Sequence, residues 1–265
     1  MKSILDFQEK KNKKQKISMI TCYDYTFATI VAESNIDCIL VGDSLANTMH
    51  GFPTTLPATV NMMALHTAAV VRGVAAKKFV VADFPFMANR KGLTATMTAA
   101  EKIMQAGAQA LKLEGGDEFT YKVVTHLVNS GVPVMGHLGL TPQSVNQLGG
   151  FKVQGRDEKA QAKIKEQALR LQEAGAFCVV LECVPSALAA EITKSLDIPT
   201  IGIGAGPDTD GQVLVLQDML GMNPGFKPKF VKTYFNGFEA IKEVFNNYHS
   251  EVEAVDFPTE KESYS

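Results

Sequence analysis

The sequence predicts an α/β chain folded as one (β/α)8 TIM barrel, on three observations. Eight short runs rich in branched aliphatic residues recur along the chain. They are apolar at both parities, as strands covered on both faces of a parallel sheet must be, and helix-like stretches separate them. The length of 265 residues suits a single barrel of about 250 residues, and no fixed-period repeat or low-complexity linker divides it.

The elements follow in order. Residues 1–16 form a helical arm, and its basic run "KKNKKQK" (10–16) reads as a solvated face. "KISMITCYD" (16–24) and "DCILVGDS" (37–44) are the first two strand runs. "GFPTTLPATVN" (51–61) is a long loop of small residues, a lid or an ordinary connection, and leads into a helix over 59–75 that starts near Thr59. "KFVVADFP" (78–85) is followed by a helix over 98–107, and "ALKLEGG" (110–116) by one over 117–130. "VPVMGHLG" (132–139) precedes a helix over 157–175, and "FCVVLECV" (177–184) one over 186–196. Gly107, Gly131 and Gly175 stand where helices need a left-handed C-terminal residue. "IPTIGIGAG" (198–206) and "QVLVLQD" (212–218) are the last two strand runs, and the connection 206–212 is too short for a full helix. The polar tail 251–265 is peripheral, so the expectation is one domain over 1–265 with an arm and a tail.

Composition excludes several function classes. The formal net charge is −2, so no basic field draws in nucleic acid or anionic lipid. No apolar run approaches the ~18 residues that span a bilayer, and no hydrophobic signal core opens the chain. The four cysteines, Cys22, Cys38, Cys178 and Cys183, lack CxxC spacing and sit in or beside apolar runs. A reduced, cytoplasmic chain is the expectation.

Charge placement carries the chemistry. Asp43, Asp83, Glu114, His137 and Glu182 each fall at the C-terminal end of an apolar run. In a (β/α)8 barrel that end is the mouth where active sites are built. Lys112 precedes Glu114 by two residues and shares its strand face, and Ser44 follows Asp43. One carboxylate at a strand end is as easily a helix cap or a surface charge; five coincident ionisable groups are not. Desolvating a carboxylate costs several kcal/mol, so four of them with one Lys and one His call for a divalent cation. All-oxygen ligation without Cys suits Mg²⁺ or Mn²⁺ better than Zn²⁺, and leaves one carboxylate free as a base. "GIGAGPDTDG" (202–211) reads as a phosphate loop or as a tight turn approached closely by backbone.

"LVGDSLANTMHG", "ADFPFM", "KLEGG", "GHLGLTPQSVNQLGGFKVQGR", "LECVP" and "IGIGAG" with "TDGQVLV" together resemble the ketopantoate hydroxymethyltransferase family, over residues 17–250. The resemblance implies a barrel related to those of phosphoenolpyruvate mutase and isocitrate lyase. It implies transfer of a hydroxymethyl group from 5,10-methylenetetrahydrofolate to 3-methyl-2-oxobutanoate, giving 2-dehydropantoate through a Mg²⁺-stabilised enolate, in pantothenate and coenzyme A biosynthesis. Carried over residue by residue, it makes Asp43, Asp83 and Glu114 the metal residues, Glu114 through water. It places Asp43, Ser44, Asp83, Lys112 and His137 at the oxo acid, with Lys112 on its carboxylate, and Glu182 as the proton acceptor. It also implies a homo-oligomer, commonly a decamer. The segment "MANRKG" (87–92) departs from the family pattern. A metal-dependent aldolase acting on a free aldehyde, or a barrel retained only for binding, would share much of this sequence.

Overall fold

The computed structural model describes residues 1–225 and 227–264. The eight runs form eight parallel strands: β1 (Ile17–Thr21), β2 (Cys38–Val41), β3 (Phe79–Asp83), β4 (Ala110–Glu114), β5 (Val134–Gly139), β6 (Cys178–Glu182), β7 (Thr200–Ile203) and β8 (Gly211–Leu214). They close in sequence order, with β1 pairing both β2 and β8. The helices are α1 (Ile4–Asn12), α2 (Tyr25–Glu33), α3 (Leu45–Thr48), α4 (Val60–Val74), α5 (Leu93–Gln105), α6 (Glu118–Asn129), α7 (Val145–Leu148), α8 (Glu158–Glu173), α9 (Ser186–Ser195), α10 (Leu216–Met219) and α11 (Gly237–Glu253). The chain divides into two compact units, Met1–Val215 and Leu216–Ser265.

In the first unit the larger helices start on side chains suited to the task. Asp24, Thr59, Asp117 and Asp157 each accept a hydrogen bond from a first-turn N–H of α2, α4, α6 and α8. Gly107, Gly131 and Gly175 take left-handed φ just past α5, α6 and α8, as expected of C-terminal glycines. Two helical features were not expected. α2 is rich in Thr, Ile and Val, whose branched Cβ weakens the helical signal, and its Asp24 cap nucleates it. α5 begins at Leu93, five residues before the expected start, because Gly92 at φ +90° turns the chain into it.

No helix joins β7 to β8, as the short connection required. The barrel closes there nonetheless, through Ile201 opposite Gly211 and Ile17 opposite Gly211. The glycine-rich turn is tight: Gly206 has φ +82°, and a Cβ on it would lie 2.4 Å from the Ser186 Cβ.

The barrel floor is apolar. Ile17, Met19, Cys38, Leu40, Phe79, Val81, Met135, Cys178, Val180, Ile201 and Val213 form one buried cluster, and Phe7 of α1 packs beneath it. Its ring meets Phe79 and Phe177 edge-on, with centroids 5.5 and 5.2 Å away. The N-terminal arm is thus a plug. Its basic run is only partly solvated, because Lys10 pairs with Asp37, and Lys11 with Asp210 at 2.9 Å.

The second unit holds α10 and α11, and the helix α11 was not foreseen in the sequence. It reaches into the tail, which continues through a short 3-10 turn, Glu260–Glu262.

Gly139 is where the strand geometry is least forgiving. It ends β5 at φ +91°, and a Cβ there would stand 2.2 Å from the Glu182 carbonyl oxygen. Gly139→Ala therefore adds left-handed strain, roughly 1–2 kcal/mol, to a backbone clash. We expect a loss of about 2–4 kcal/mol in urea-monitored unfolding; a variant as stable as the parent would show that β5 and β6 relax freely at this point.

Candidate active site

The period of two along a strand builds the site. Phe79, Val81 and Asp83 share the inner face of β3, as Ala110, Lys112 and Glu114 share that of β4, and Cys178, Val180 and Glu182 that of β6. Each series runs from the apolar floor to an ionisable residue at the mouth. Asp43 follows β2 across Gly42, where a Cβ would fall 2.7 Å from Ser44 Oγ.

All the residues singled out in the sequence gather here. Asp43, Asp83, Lys112, Glu114 and His137 are no more than 8% exposed, so each needs a partner. The Asp43 amide donates to Asp83 Oδ2 at 2.9 Å. Lys112 Nζ lies 2.9 Å from Asp83 Oδ1 and 3.1 Å from His137 Nδ1. His137 reaches Glu114 Oε1 through Nδ1 at 3.4 Å and Glu182 Oε2 through Nε2 at 3.3 Å. One imidazole thus links the buried Glu114 to the outermost carboxylate, for the Glu182 side chain keeps 16% exposure. Ser44 Oγ is within 2.8 Å of the hydroxyl of Tyr23.

Electrostatics sets the protonation. Burial raises the Asp43 carboxyl well above its ordinary range, and the charges of Asp83 and Glu114 add to this. Asp83 is raised by burial in spite of Lys112. Burial also acts upward on Glu114, but His137 and Lys112 outweigh it and hold this carboxyl low. Burial and the Lys112 charge push the His137 imidazole toward neutrality, yet Glu114 and Glu182 prevail and lift it to about 9. An imidazolium cannot accept from Lys112, so the 3.1 Å approach is two donors converging on carboxylates.

Four carboxyls face one ammonium and one imidazolium, so with all four ionised two negative charges would lack a counterpart, which is why Asp43 and Asp83 are pushed toward their neutral forms. Asp83 Oδ1 and Glu114 Oε1 are buried without a well-formed hydrogen bond. Among the described residues no three His, Cys, Asp or Glu side chains already converge as a ligand cluster; Lys112 and the amide of Gln143 stand on the oxygens instead. The donor set, buried carboxylate oxygens with no sulfur ligand among them, fits a hard divalent cation.

Three features escaped the sequence reading. Tyr23 supports Ser44 from the end of β1. Gln143, in the 3-10 turn Pro142–Ser144, bonds to the site carboxylates. Cys183, directly after Glu182, holds φ +47°, a conformation that costs a non-glycine residue about 1 kcal/mol or more and is met at functional sites. A cavity of about 420 Å³ adjoins Glu114 and is lined by Phe86, Arg90, Asp117, Gln143 and Gln147 among others.

The family profile of ketopantoate hydroxymethyltransferase matches residues 1–260. A protein of Bdellovibrio bacteriovorus named 3-methyl-2-oxobutanoate hydroxymethyltransferase is 74% identical over 265 residues, all of both chains. The chain belongs to the ketopantoate hydroxymethyltransferase family. A Coxiella burnetii protein of the same name is 58% identical over 253 residues, 96% of this chain and 95% of its own. Among solved structures, a phosphonopyruvate hydrolase complex with oxalate and Mg²⁺ superposes with a TM-score of 0.65 at 10% identity, covering 100% of this chain and 92% of that one. 2,3-Dimethylmalate lyase, a member of the PEP mutase/isocitrate lyase superfamily, gives 0.57 at 13% identity, with 100% and 92% coverage. At such identities these two share the barrel fold with it. As a member of a hydroxymethyltransferase family the chain is an enzyme, a transferase.

The segment "MANRKG" (87–92) is held by Arg90. Its guanidinium donates to both Asp117 carboxylate oxygens, at 2.9 and 2.7 Å, and to Thr120 Oγ1 at 3.0 Å. The pairing lowers the Asp117 carboxyl to about 2. The loop is thereby tied to the start of α6.

The raised Asp43 carboxyl has a pH signature. The folded chain holds this proton more tightly than the unfolded one, so its contribution favours folding at low pH. It is lost as pH climbs from 3.8, the ordinary Asp value, through the raised folded value. In EDTA, Asp43→Asn should be at least as stable as the parent at pH 7, by on the order of 1 kcal/mol, with the advantage shrinking toward pH 4. Urea titrations of both proteins across this range check it; an advantage that grows on acidification would contradict the assignment.

Proposed function

We propose that the chain transfers a hydroxymethyl group from 5,10-methylenetetrahydrofolate to 3-methyl-2-oxobutanoate, yielding 2-dehydropantoate for pantothenate and coenzyme A biosynthesis. The names of the relatives support the acceptor and the product. The observation that carries the chemistry is the split among the carboxylates: Asp43, Asp83 and Glu114 are sealed in, while Glu182 stands at the rim on the far side of His137.

Asp43 and Asp83 would hold Mg²⁺, with Glu114 reaching it through water. When bound, Mg²⁺ would polarise the ketone and offset the negative charge that grows on its oxygen. Lys112 supplies the cation that pairs with the acid's carboxylate. Ser44, fixed by Tyr23, offers a hydroxyl to the same acid. Glu182 takes the C3 proton, and the electron pair of that C–H bond forms the new C–C bond to the methylene carbon of the donor. One C–N bond of that carbon breaks as the C–C bond forms, a water oxygen replaces the other, and tetrahydrofolate leaves with its two nitrogens protonated by the proton from C3 and one from the water. His137 keeps the Glu182 carboxylate in place at 3.3 Å. The cavity beside Glu114 has the size class of small-molecule sites and is open to the second substrate.

No described helix is long and apolar enough to cross a membrane. Its four unpaired cysteines favour a reducing, cytoplasmic setting. The helix α11 exposes Phe238, Ile241, Val244, Phe245, Tyr248 and Val252 in one stripe, which favours self-association and is compatible with a decamer.

Two variants test the roles. In D₂O with Mg²⁺, the parent should exchange the C3 proton of 3-methyl-2-oxobutanoate, followed by NMR, and Glu182→Gln should slow this about 10²–10⁴-fold. Exchange at the parent rate would move the base to another residue. Lys112→Met should raise KM for the oxo acid at least tenfold, the scale of a lost ion pair of about 1.5–3 kcal/mol. A rise confined to the folate KM would assign the lysine to the other substrate.

A further inference from the structure

The segment that follows β5 crosses the mouth through Pro142–Leu148, and one residue ties it to three strands. Gln143 donates its main-chain N–H to Glu114 Oε2 at 3.0 Å, at the end of β4. Its side-chain Nε2 donates to Asp43 Oδ2 at 2.9 Å, after β2, and to the Phe84 carbonyl at 3.0 Å, after β3. Asp83 is treated alike from another source: its Oδ2 takes the Asp43 N–H at 2.9 Å.

The result is a pattern across the carboxylates. In each of Asp43, Asp83 and Glu114 one oxygen is bound by an uncharged N–H donor. The other oxygens of Asp83 and Glu114, Oδ1 and Oε1, are buried without a well-formed hydrogen bond and face Lys112 Nζ at 2.9 Å and His137 Nδ1 at 3.4 Å, the cations a divalent ion would have to displace or share them with. A neutral donor leaves the negative charge of a carboxylate intact and fixes its plane, whereas a cation there would neutralise it. Hydrogen bonds of this kind to carboxylates that hold metals are worth about 10–100-fold in affinity.

We infer that Gln143 is a positioning residue for the divalent cation: by holding Asp43 Oδ2 with its side chain and Glu114 Oε2 with its main chain, it turns their remaining oxygens toward the ion. This rests on the reading of Asp43, Asp83 and Glu114 as the metal carboxylates. Gln143 touches neither substrate nor ion in this role. It also makes the turn Pro142–Ser144 part of the metal site, although it carries no charge and does not stand at a strand end.

Gln143→Met keeps the length of the side chain and removes its donor; the main-chain bond to Glu114 survives. MgCl₂ titrated calorimetrically into the full-length chain, after EDTA treatment, should show about 10-fold or greater weakening in the variant. Thermal unfolding in EDTA should stay close to the parent's, which a purely structural role would not allow. Gln143→Asn retains the amide but withdraws it by one methylene, so it should weaken Mg²⁺ as well; it serves if the Met variant does not fold. Equal Mg²⁺ affinity in parent and variant overturns the role of Gln143 and leaves the metal carboxylates standing. Absence of Mg²⁺ binding to the parent overturns both.

Discussion

The structure depends on an unbalanced charge buried at one end of an apolar tube. Below, Phe7 and the rings and aliphatic chains around it fill the barrel floor. Above, four carboxylates share one lysine and one imidazole. Burial of an uncompensated carboxylate costs several kcal/mol, a large part of the roughly 5–15 kcal/mol by which a domain is stable. The apolar floor and the plug beneath it hold the strand ends together against that repulsion. The close approaches at Gly42 and Gly139 let the strands bring the charges within reach of one another. The left-handed Cys183 marks the same demand on the far side, where the chain must turn at once after Glu182.

The imidazole of His137 connects the two halves of the site. On one side it faces Glu114, on the other Glu182. A charge at this point stabilises both carboxylates without a metal-like geometry, and it separates the sealed groups from the one at the rim. Under the proposed function, that separation would let one carboxylate act as a base while its neighbours hold the cation. Gln143 adds a third kind of support, a neutral donor that orders carboxylates while leaving their charge available.

Much of this was legible in the sequence, and the reasons are physical. Buried parallel strands leave unbroken apolar runs, and an ionisable residue that ends such a run is conspicuous against it. Asp43, Asp83, Lys112, Glu114, His137 and Glu182 therefore stood out, and they do meet. What was missed lacks that contrast. Gln143 lies in a polar turn where a glutamine is unremarkable, and only the fold carries it to Asp43, a hundred residues away in the chain. Tyr23 reads as the end of an apolar run rather than as a partner for Ser44. The helices α2 and α5 were missed or shortened because branched and Thr-rich segments have weak helical signals, and their start was set by Asp24 and by the left-handed Gly92. The basic arm looked like solvated surface because Phe7, the residue that matters there, is one aromatic among charges.

If the buried negative charge is there to receive a divalent cation, that cation must stabilise the fold. Thermal unfolding of the 265-residue chain, first in EDTA and then across a MgCl₂ series at fixed ionic strength, measures this. A ligand at a hundredfold its Kd adds about 2.7 kcal/mol, or about 5–10 °C in Tm for a chain of this size. A saturable rise of that order is expected with MgCl₂ and none with NaCl of equal ionic strength; a Tm that does not move with MgCl₂, or moves equally with NaCl, would mean that no divalent-cation site forms among these carboxylates.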